Sequence, residues 1–195
     1  RSDMSSDEVG VFIPRPHALA VRPGTGTVYT ASLAANQIAL YYPEDEAIDL
    51  GTLEGDRPHT LIGFAISPDG RWMVGTTELT ATVFVFDLDR EPDMTPVDTI
   101  AVNAAPWHPV FTPDGRWVYV GNNWENTVSV IDMETRTLAK VIEGDGLAQP
   151  HGAAVSPDGR FAYISSRNLE MPEGHSKYEH MYTPRYDLGD NARAG

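Results

Sequence analysis

The chain has 195 residues, of which 41% are hydrophobic and 22% charged, so it can bury a core and is not compositionally disordered. Fourteen Lys and Arg against 28 Asp and Glu give a formal net charge of −14, which leaves no room for the large basic face that a nucleic acid or an anionic membrane surface attracts. Cysteine is absent, which excludes disulfides, thiolate-held zinc, iron–sulfur clusters, covalent c-type haem and a thiol nucleophile. There is no apolar run of 18 residues to cross a membrane as a helix. The sequence opens at Arg1 with no apolar leader segment, so the expectation is a processed chain or a piece of a longer one.

Residues 9–13 read as a first short strand, the outer strand of a neighbouring unit. From residue 16 onwards the chain repeats. Ser67-Pro68-Asp69-Gly70-Arg71 returns as Thr112-Pro113-Asp114-Gly115-Arg116 and again as Ser156-Pro157-Asp158-Gly159-Arg160. A worn copy stands at Arg22-Pro23-Gly24-Thr25-Gly26-Thr27. Measured between the prolines, the steps are 45, 45 and 44 residues, a constancy that chance does not supply.

The pentapeptide is a turn in chemical terms. Proline sets φ near −65° at the second position, aspartate bonds its own backbone, and glycine takes positive φ. Ser or Thr ahead of the proline can accept from a turn amide. Each copy lies between β-rich runs and should close a hairpin.

In chain order each repeat holds four such runs. One precedes the turn (18–21, 63–66, 110–111, 153–155) and one follows it (72–75, 117–120, 161–164). A third (38–42, 83–87, 128–132) and a fourth (48–50, 97–100, 138–142) come after a short polar link. Helical periodicity is missing throughout. Four short strands in about 45 residues are the mark of a β-propeller blade. The expected fold is therefore all-β, a propeller of four-stranded antiparallel blades. Repeats run over about 16–53, 58–102 and 106–143, with a fourth from about 149 to 195 that stops before a clear third strand. That makes three and a half to four blades, an incomplete ring, since a closed six- or seven-bladed ring takes roughly 270–315 residues. Residues 169–192 break the pattern and are expected to be a structured insertion, rich in Tyr, Met and His, that docks on something.

The stretches Pro150-His151-Gly152-Ala153-Ala154-Val155-Ser156-Pro157-Asp158-Gly159-Arg160 and Pro113-Asp114-Gly115-Arg116-Trp117-Val118-Tyr119-Val120-Gly121-Asn122-Asn123 resemble the YVTN-type, or YncE-like, β-propeller repeat. The chain is similar, more loosely, to lactonase-type propellers and to the propeller of nitrous oxide reductase. The resemblance spans about residues 16–170. It implies an extracytoplasmic place, periplasmic or at the cell surface, and little about activity, because the fold hosts many chemistries.

Four histidines, His17, His59, His108 and His151, sit beside prolines where each repeat begins, at the entry to the strand that lines a propeller's channel. Imidazoles gathered there could bind a metal, and the resemblance to nitrous oxide reductase implies copper. Spacing argues against it. His17 and His151 stand six residues before their proline markers, His108 five and His59 nine, and a one-residue offset turns a strand side chain to the opposite face. The bland expectation is that each Pro-His pair shapes the strand entry and bonds a neighbouring blade's backbone. His175 and His180, five residues apart in the insertion, are a fainter metal pair.

Asp69, Asp114 and Asp158 are turn residues by position, and Asp87 and Asp132 end strands and cap turns. Glu78 and Glu125 follow a second strand at the blade edge. No Ser-His-Asp arrangement, Gly-x-Ser-x-Gly elbow or phosphate-cradling glycine loop is present in the sequence. Trp72, Trp117 and Phe161 share one repeat position and so should pack between blades. Trp107 and Trp124 do not repeat and are candidates for a partner-binding surface, with Tyr178, Met181, Tyr182 and Tyr186 of the insertion.

Three functions follow. The first is a non-catalytic propeller acting as a protein-interaction or accessory subunit of a larger extracytoplasmic assembly, peripheral to it where that assembly is membrane-bound, with no cofactor and no nucleic acid. The alternative is a copper-type oxidoreductase using hub or loop histidines. The second alternative is a lactonase-like hydrolase with acidic and basic groups round the channel mouth.

Overall fold

The computed structural model describes residues 12–144, 146–167 and 185–187. Four antiparallel sheets follow one another, and within each sheet the strands lie in chain order. The first blade holds β1 (Pro16–Val21), β2 (Val28–Ser32), β3 (Gln37–Tyr42) and β4 (Ala47–Thr52). The second holds β5 (Leu61–Ile66), β6 (Trp72–Thr77), β7 (Thr82–Asp87) and β8 (Asp98–Ala101), with a 3-10 turn at Leu88–Arg90. The third holds β9 (Pro106–Phe111), β10 (Trp117–Asn122), β11 (Thr127–Asp132) and β12 (Thr137–Ile142). The fourth has β13 (Pro150–Val155), β14 (Phe161–Ser166) and β15 (Arg185–Asp187). The fold is the expected all-β partial propeller. Its fourth blade does have a third strand, β15, paired with β14 through Tyr163↔Arg185 and Phe161↔Asp187, which three residues in an unrepeated stretch could not announce. Residues 9–11 lie outside the described residues, and Phe12 and Ile13 belong to no strand.

The turns form as their residues dictate. In the third blade Thr112 N–H donates to the Trp117 carbonyl (2.9 Å) and Gly115 N–H to the Thr112 carbonyl (2.9 Å), closing the hairpin between β9 and β10. Gly115 has φ +71°, a conformation that costs a side-chain-bearing residue about 1–2 kcal/mol. Asp114 accepts from Thr112 Oγ1 (2.5 Å) and from Arg116 N–H (3.0 Å), and Thr112 Oγ1 accepts from Trp117 N–H (3.0 Å). The second and fourth blades repeat this network at Ser67-Asp69-Arg71-Trp72 and Ser156-Asp158-Arg160-Phe161. The worn copy in the first blade uses Arg22 instead. Its guanidinium donates to the carbonyls of Gly70 (2.8 Å) and Leu88 (2.8 Å) and pairs with Asp89 and Glu91 of the second blade.

The strands alternate faces, so each blade offers one face to the blade before it and one to the blade after. Three apolar seams result. Tyr29, Ile38 and Leu40 of the first blade meet Phe64, Met73 and Phe86 of the second. Val74, Val83 and Val85 of the second meet Phe111, Val118 and Ile131 of the third. Tyr119, Val128 and Val130 of the third meet Ala162 and Ile164 of the fourth. Trp72 and Trp117 lie in the second and third seams, as their shared repeat position predicts, and each carries its neighbouring arginine over its ring, Arg71 at 4.7 Å and Arg116 at 5.1 Å. The first strands β1, β5, β9 and β13 pack side by side across the blades and so form the inner wall.

Candidate functional site at the mouth of the inner strands

Each inner strand begins with the same irregularity. The register to the second strand slips between Pro16 and Ala18 in β1, Leu61 and Gly63 in β5, Pro106 and Pro109 in β9, and Pro150 and Ala153 in β13. The extra residue is a β-bulge, which bends the strand and re-aims its side chains. The residue just before each strand, Arg15, Thr60, Ala105 or Gln149, has φ between +50° and +60°. Its carbonyl accepts from the residue that follows the second strand, Leu33, Glu78, Asn123 or Arg167. The strained entry is thus held by the same hydrogen bond in every blade.

The bulges bring three of the four hub histidines together. His17 and His108 stack with ring centroids 6.1 Å apart, and His108 and His151 meet edge-on at 5.2 Å. Trp107 lies 4.2 Å from His151, 5.8 Å from His108 and 6.3 Å from His17. Arg167 holds its guanidinium 5.6 Å from the Trp107 ring. The one-residue offset between His17 and His108 fails as an argument for divergence, because in a bulge two consecutive residues oppose one partner and the two-residue alternation is suspended.

His17 donates from Nδ1 to the Ile62 carbonyl of the second blade (2.7 Å), which leaves Nε2 as its open acceptor. It therefore does bond a neighbouring blade's backbone. Among the described residues the rings of His108 and His151 have no hydrogen-bond partner. The Trp107 indole N–H is buried with none either. Gly63 makes room for His108, since a Cβ there would stand 2.9 Å from its Nδ1. Burial pushes the His108 imidazole below its ordinary pKa, and the charge of His17 adds to this. Burial does the same to His151, helped by His108, Arg167 and His17. Both rings are thereby held neutral in neutral solution.

His59 is elsewhere. Its Nε2 donates to the Glu54 carbonyl (2.8 Å), its ring stands edge-on to Phe84 at 5.0 Å, and its backbone N–H is held by Asn36 (2.8 Å). It clasps the link between the first and second blades. His175, His180, Tyr178, Met181 and Tyr182 lie outside the described residues, and Tyr186 falls in β15. Among the described residues no group of three or more His, Asp or Glu side chains is placed to hold a metal ion.

Trp107 belongs to the histidine cluster. Trp124 does not. It is 65% exposed on the turn between β10 and β11, and Leu79, at the same place on the turn between β6 and β7, is 64% exposed. Both turns lie at the end where the inner strands begin, so they form a rim beside the cluster. Sequence reading missed Arg167 and the place of Trp107 against the histidines. Their signal was departure from the repeat, for Arg167 occupies the position of Leu33, Glu78 and Asn123. At the opposite end of the blades a cleft is lined by Asp69, Trp72, Asp114, Arg116 and Glu134. There Arg116 is already paired with Asp132 and Glu134.

A family model described as Lactonase, 7-bladed beta-propeller matches residues 15–178. No curated protein matches the chain. Among solved structures, Kuenenia stuttgartiensis hydrazine synthase superposes with a TM-score of 0.78 at 17% identity, covering 92% of this chain and 48% of that one. A functionally unknown protein from Desulfotomaculum acetoxidans gives 0.67 at 19% identity, covering 78% and 49%. A candidate 6-phosphogluconolactonase from Bacteroides uniformis gives 0.67 at 18% identity, covering 78% and 48%. The likeness is one of fold, and the chain spans about half the length of each of these structures.

Proposed function

Since the chain belongs to the seven-bladed β-propeller lactonase family, whose fold carries unrelated activities, we propose that it is a non-catalytic propeller module built of YVTN-type repeats, an interaction or accessory subunit of a larger extracytoplasmic assembly. The observation that carries this reading is the rim. Trp124 and Leu79 stand exposed on equivalent turns of successive blades, and Glu78 and Glu125 flank them. Exposed Trp and Leu amid acidic side chains on a chain of net charge −14 suit a partner protein that presents apolar and basic residues. The test is native mass spectrometry of the complex from its source, with the wild-type chain and with Leu79→Ser/Trp124→Ser. A partner of fixed stoichiometry that is lost in the double variant supports the reading. A complex that survives the variant, or a chain found free, overturns it.

A second reading is lactonase-like hydrolysis at the mouth. It is favoured by the neutral imidazoles of His108 and His151 beside Arg167 and the unpartnered indole N–H of Trp107. A neutral imidazole can take the proton of an attacking water, while Arg167 and the indole N–H can stabilise the oxyanion formed at a lactone carbonyl. Collapse breaks the ring C–O bond and returns the proton to the leaving oxygen. Lactone turnover by the purified chain, lost in His151→Gln, would place this reading first. The same preparation, assayed for metal, tests the copper alternative. Copper at one ion per chain, lost in His108→Gln, would move the histidines from packing to ligation.

A further inference from the structure

We propose that the cleft between the turns of the second and third blades is a binding site for a guanidinium group, the side chain of an arginine on a partner protein. The cleft lies at the end of the blades opposite the rim that carries the proposed function, and neither reading depends on the other.

The first pair of blades supplies the template. Arg22 stands where the second blade has Ser67, for Arg22 N–H donates to the Thr27 carbonyl as Ser67 N–H donates to the Trp72 carbonyl. From that place its side chain crosses to the second blade. Nε donates to the Gly70 carbonyl (2.8 Å), Nη1 to the Leu88 carbonyl (2.8 Å) and to Glu91 (3.0 Å), and Nη2 to Asp89 (2.8 Å). Two backbone carbonyls and two carboxylates thus match the fixed fork of a guanidinium, which a point charge such as ammonium does not present.

One repeat further on, the acceptors recur without the arginine. Gly115, Met133 and Glu134 hold the places of Gly70, Leu88 and Asp89. All three line the cleft, whose volume is about 540 Å³. The facing blade offers Ser67 instead, and its short side chain is taken up within its own turn by Asp69 and Trp72 N–H. Among the described residues the carbonyls of Gly115 and Met133 accept no hydrogen bond. The receptor half of an interaction that the chain makes internally at its first seam is therefore open to the outside at its second.

The charges suit the same guest. Glu134 is shared with Arg116, but Asp89 is likewise shared with Arg71 and still holds Arg22. Glu91 has Arg136 as its counterpart, and Asp98 engages that arginine. Asp69 lines the cleft where the first blade has Gly24, and so restores a second carboxylate. Among the lining residues Arg116 is the one cation, and it is paired with Asp132 and Glu134. The cleft thus offers nothing to the carboxylate of free arginine and everything to a guanidinium on a polypeptide. The net charge of −14 draws a basic segment to it, and a guanidinium seated there would anchor a larger contact.

The experiment is an amide-resolved NMR titration of the full chain with N-acetyl-arginine amide, N-acetyl-lysine amide and free arginine. The capped arginine should bind in roughly the millimolar range, as a few charge-assisted hydrogen bonds allow, and should shift the Gly115 and Glu134 amides and the Trp72 indole. The capped lysine should bind about tenfold more weakly or worse. Glu134→Gln should weaken the capped arginine about tenfold. Ser67→Arg should abolish its binding, because the chain then fills the cleft as Arg22 fills the first. Ser67→Ala loses the same turn bonds without filling the cleft, so it should bind as wild type does and melt below Ser67→Arg. The rim variant Leu79→Ser/Trp124→Ser should also bind as wild type does, which keeps failure here distinct from failure of the proposed function. Lysine bound as well as arginine, shifts confined to residues away from the cleft, or binding that survives in Ser67→Arg overturns the proposal. Free arginine bound tenfold tighter than the capped form overturns the assignment to a partner's side chain.

Discussion

The two ends of the blades obey different rules. At the turn end the same residues recur, and their polar groups are satisfied by one another: in three blades a Ser or Thr hydroxyl, an Asp carboxylate and two backbone amides close one network. At the mouth end the backbone recurs, with its bulges and its positive-φ residues, while the side chains differ. The second position of the inner strand is His17, Ile62, Trp107 and His151 in turn. Unpartnered rings gather there, at the indole of Trp107 and at His108 and His151, although the Trp117 indole N–H beside the turn is buried without a partner as well. The two ends differ in repetition: the turn end repeats its side chains, and the mouth departs from the repeat.

The largest effect that would test this contrast is at the turn end. Asp114→Ala removes the acceptor of both Thr112 Oγ1 and Arg116 N–H. Net hydrogen bonds of this kind contribute about 0.5–1.5 kcal/mol each, and those to a charged group more. The partly exposed turn should therefore lose about 1–2 kcal/mol and Tm should fall by roughly 2–8 °C, with mouth binding unchanged. A turn variant that leaves Tm where it was would break the contrast.

The next effect is pH. The folded-state pKa of both His108 and His151 lies below the ordinary imidazole value of 6.5. The unfolded chain therefore binds more protons than the folded chain just below that value, and protons favour unfolding. Stability should be level above about pH 6.5 and decline as pH falls below it. His17 and Arg167 face the same rings and add to the cost of charging them. The turn carboxylates act lower. Hydrogen bonds from the turn serines hold Asp69 and Asp158 below 3.8, so their contribution is lost only as pH falls through that lower range. Denaturant unfolding at pH 7.5 and 5.5 should show the decline, and His108→Gln/His151→Gln should flatten it. An unchanged slope in the double variant would place the titration elsewhere.

The same contrast explains what could be read in the sequence. Ser-Pro-Asp-Gly-Arg at a constant step announces turn, hairpin and blade together, because each residue acts locally. Trp72 and Trp117 could be assigned to blade packing because they share one position. The mouth was hidden for the opposite reason. Arg15, Thr60, Ala105 and Gln149 adopt the same left-handed backbone with no residue type in common, so nothing local marks the bulge that follows. Without the bulge, the offset between His17 and His108 argues for divergence. Arg167 carries no motif and meets Trp107 only because β14 ends beside the inner strand of the preceding blade.

The smallest effect is the sharpest, because opposing terms nearly cancel. Trp107→Phe removes an indole N–H that is buried with no partner. Leaving such a donor unsatisfied costs the fold about 1–3 kcal/mol. Phenylalanine escapes that cost and keeps an aromatic ring against His151, but it loses apolar area and leaves space where the larger ring stood. The expected change in stability is within about 1 kcal/mol in either direction, less than the turn variant's loss. Binding should respond differently. If the indole N–H is open because it serves a ligand or a hydrolytic oxyanion at the mouth, Trp107→Phe loses that function while Tm barely moves. If the variant instead lowers Tm as much as Asp114→Ala does, Trp107 is a packing residue like Trp117, and the contrast between the two ends fails at its central residue.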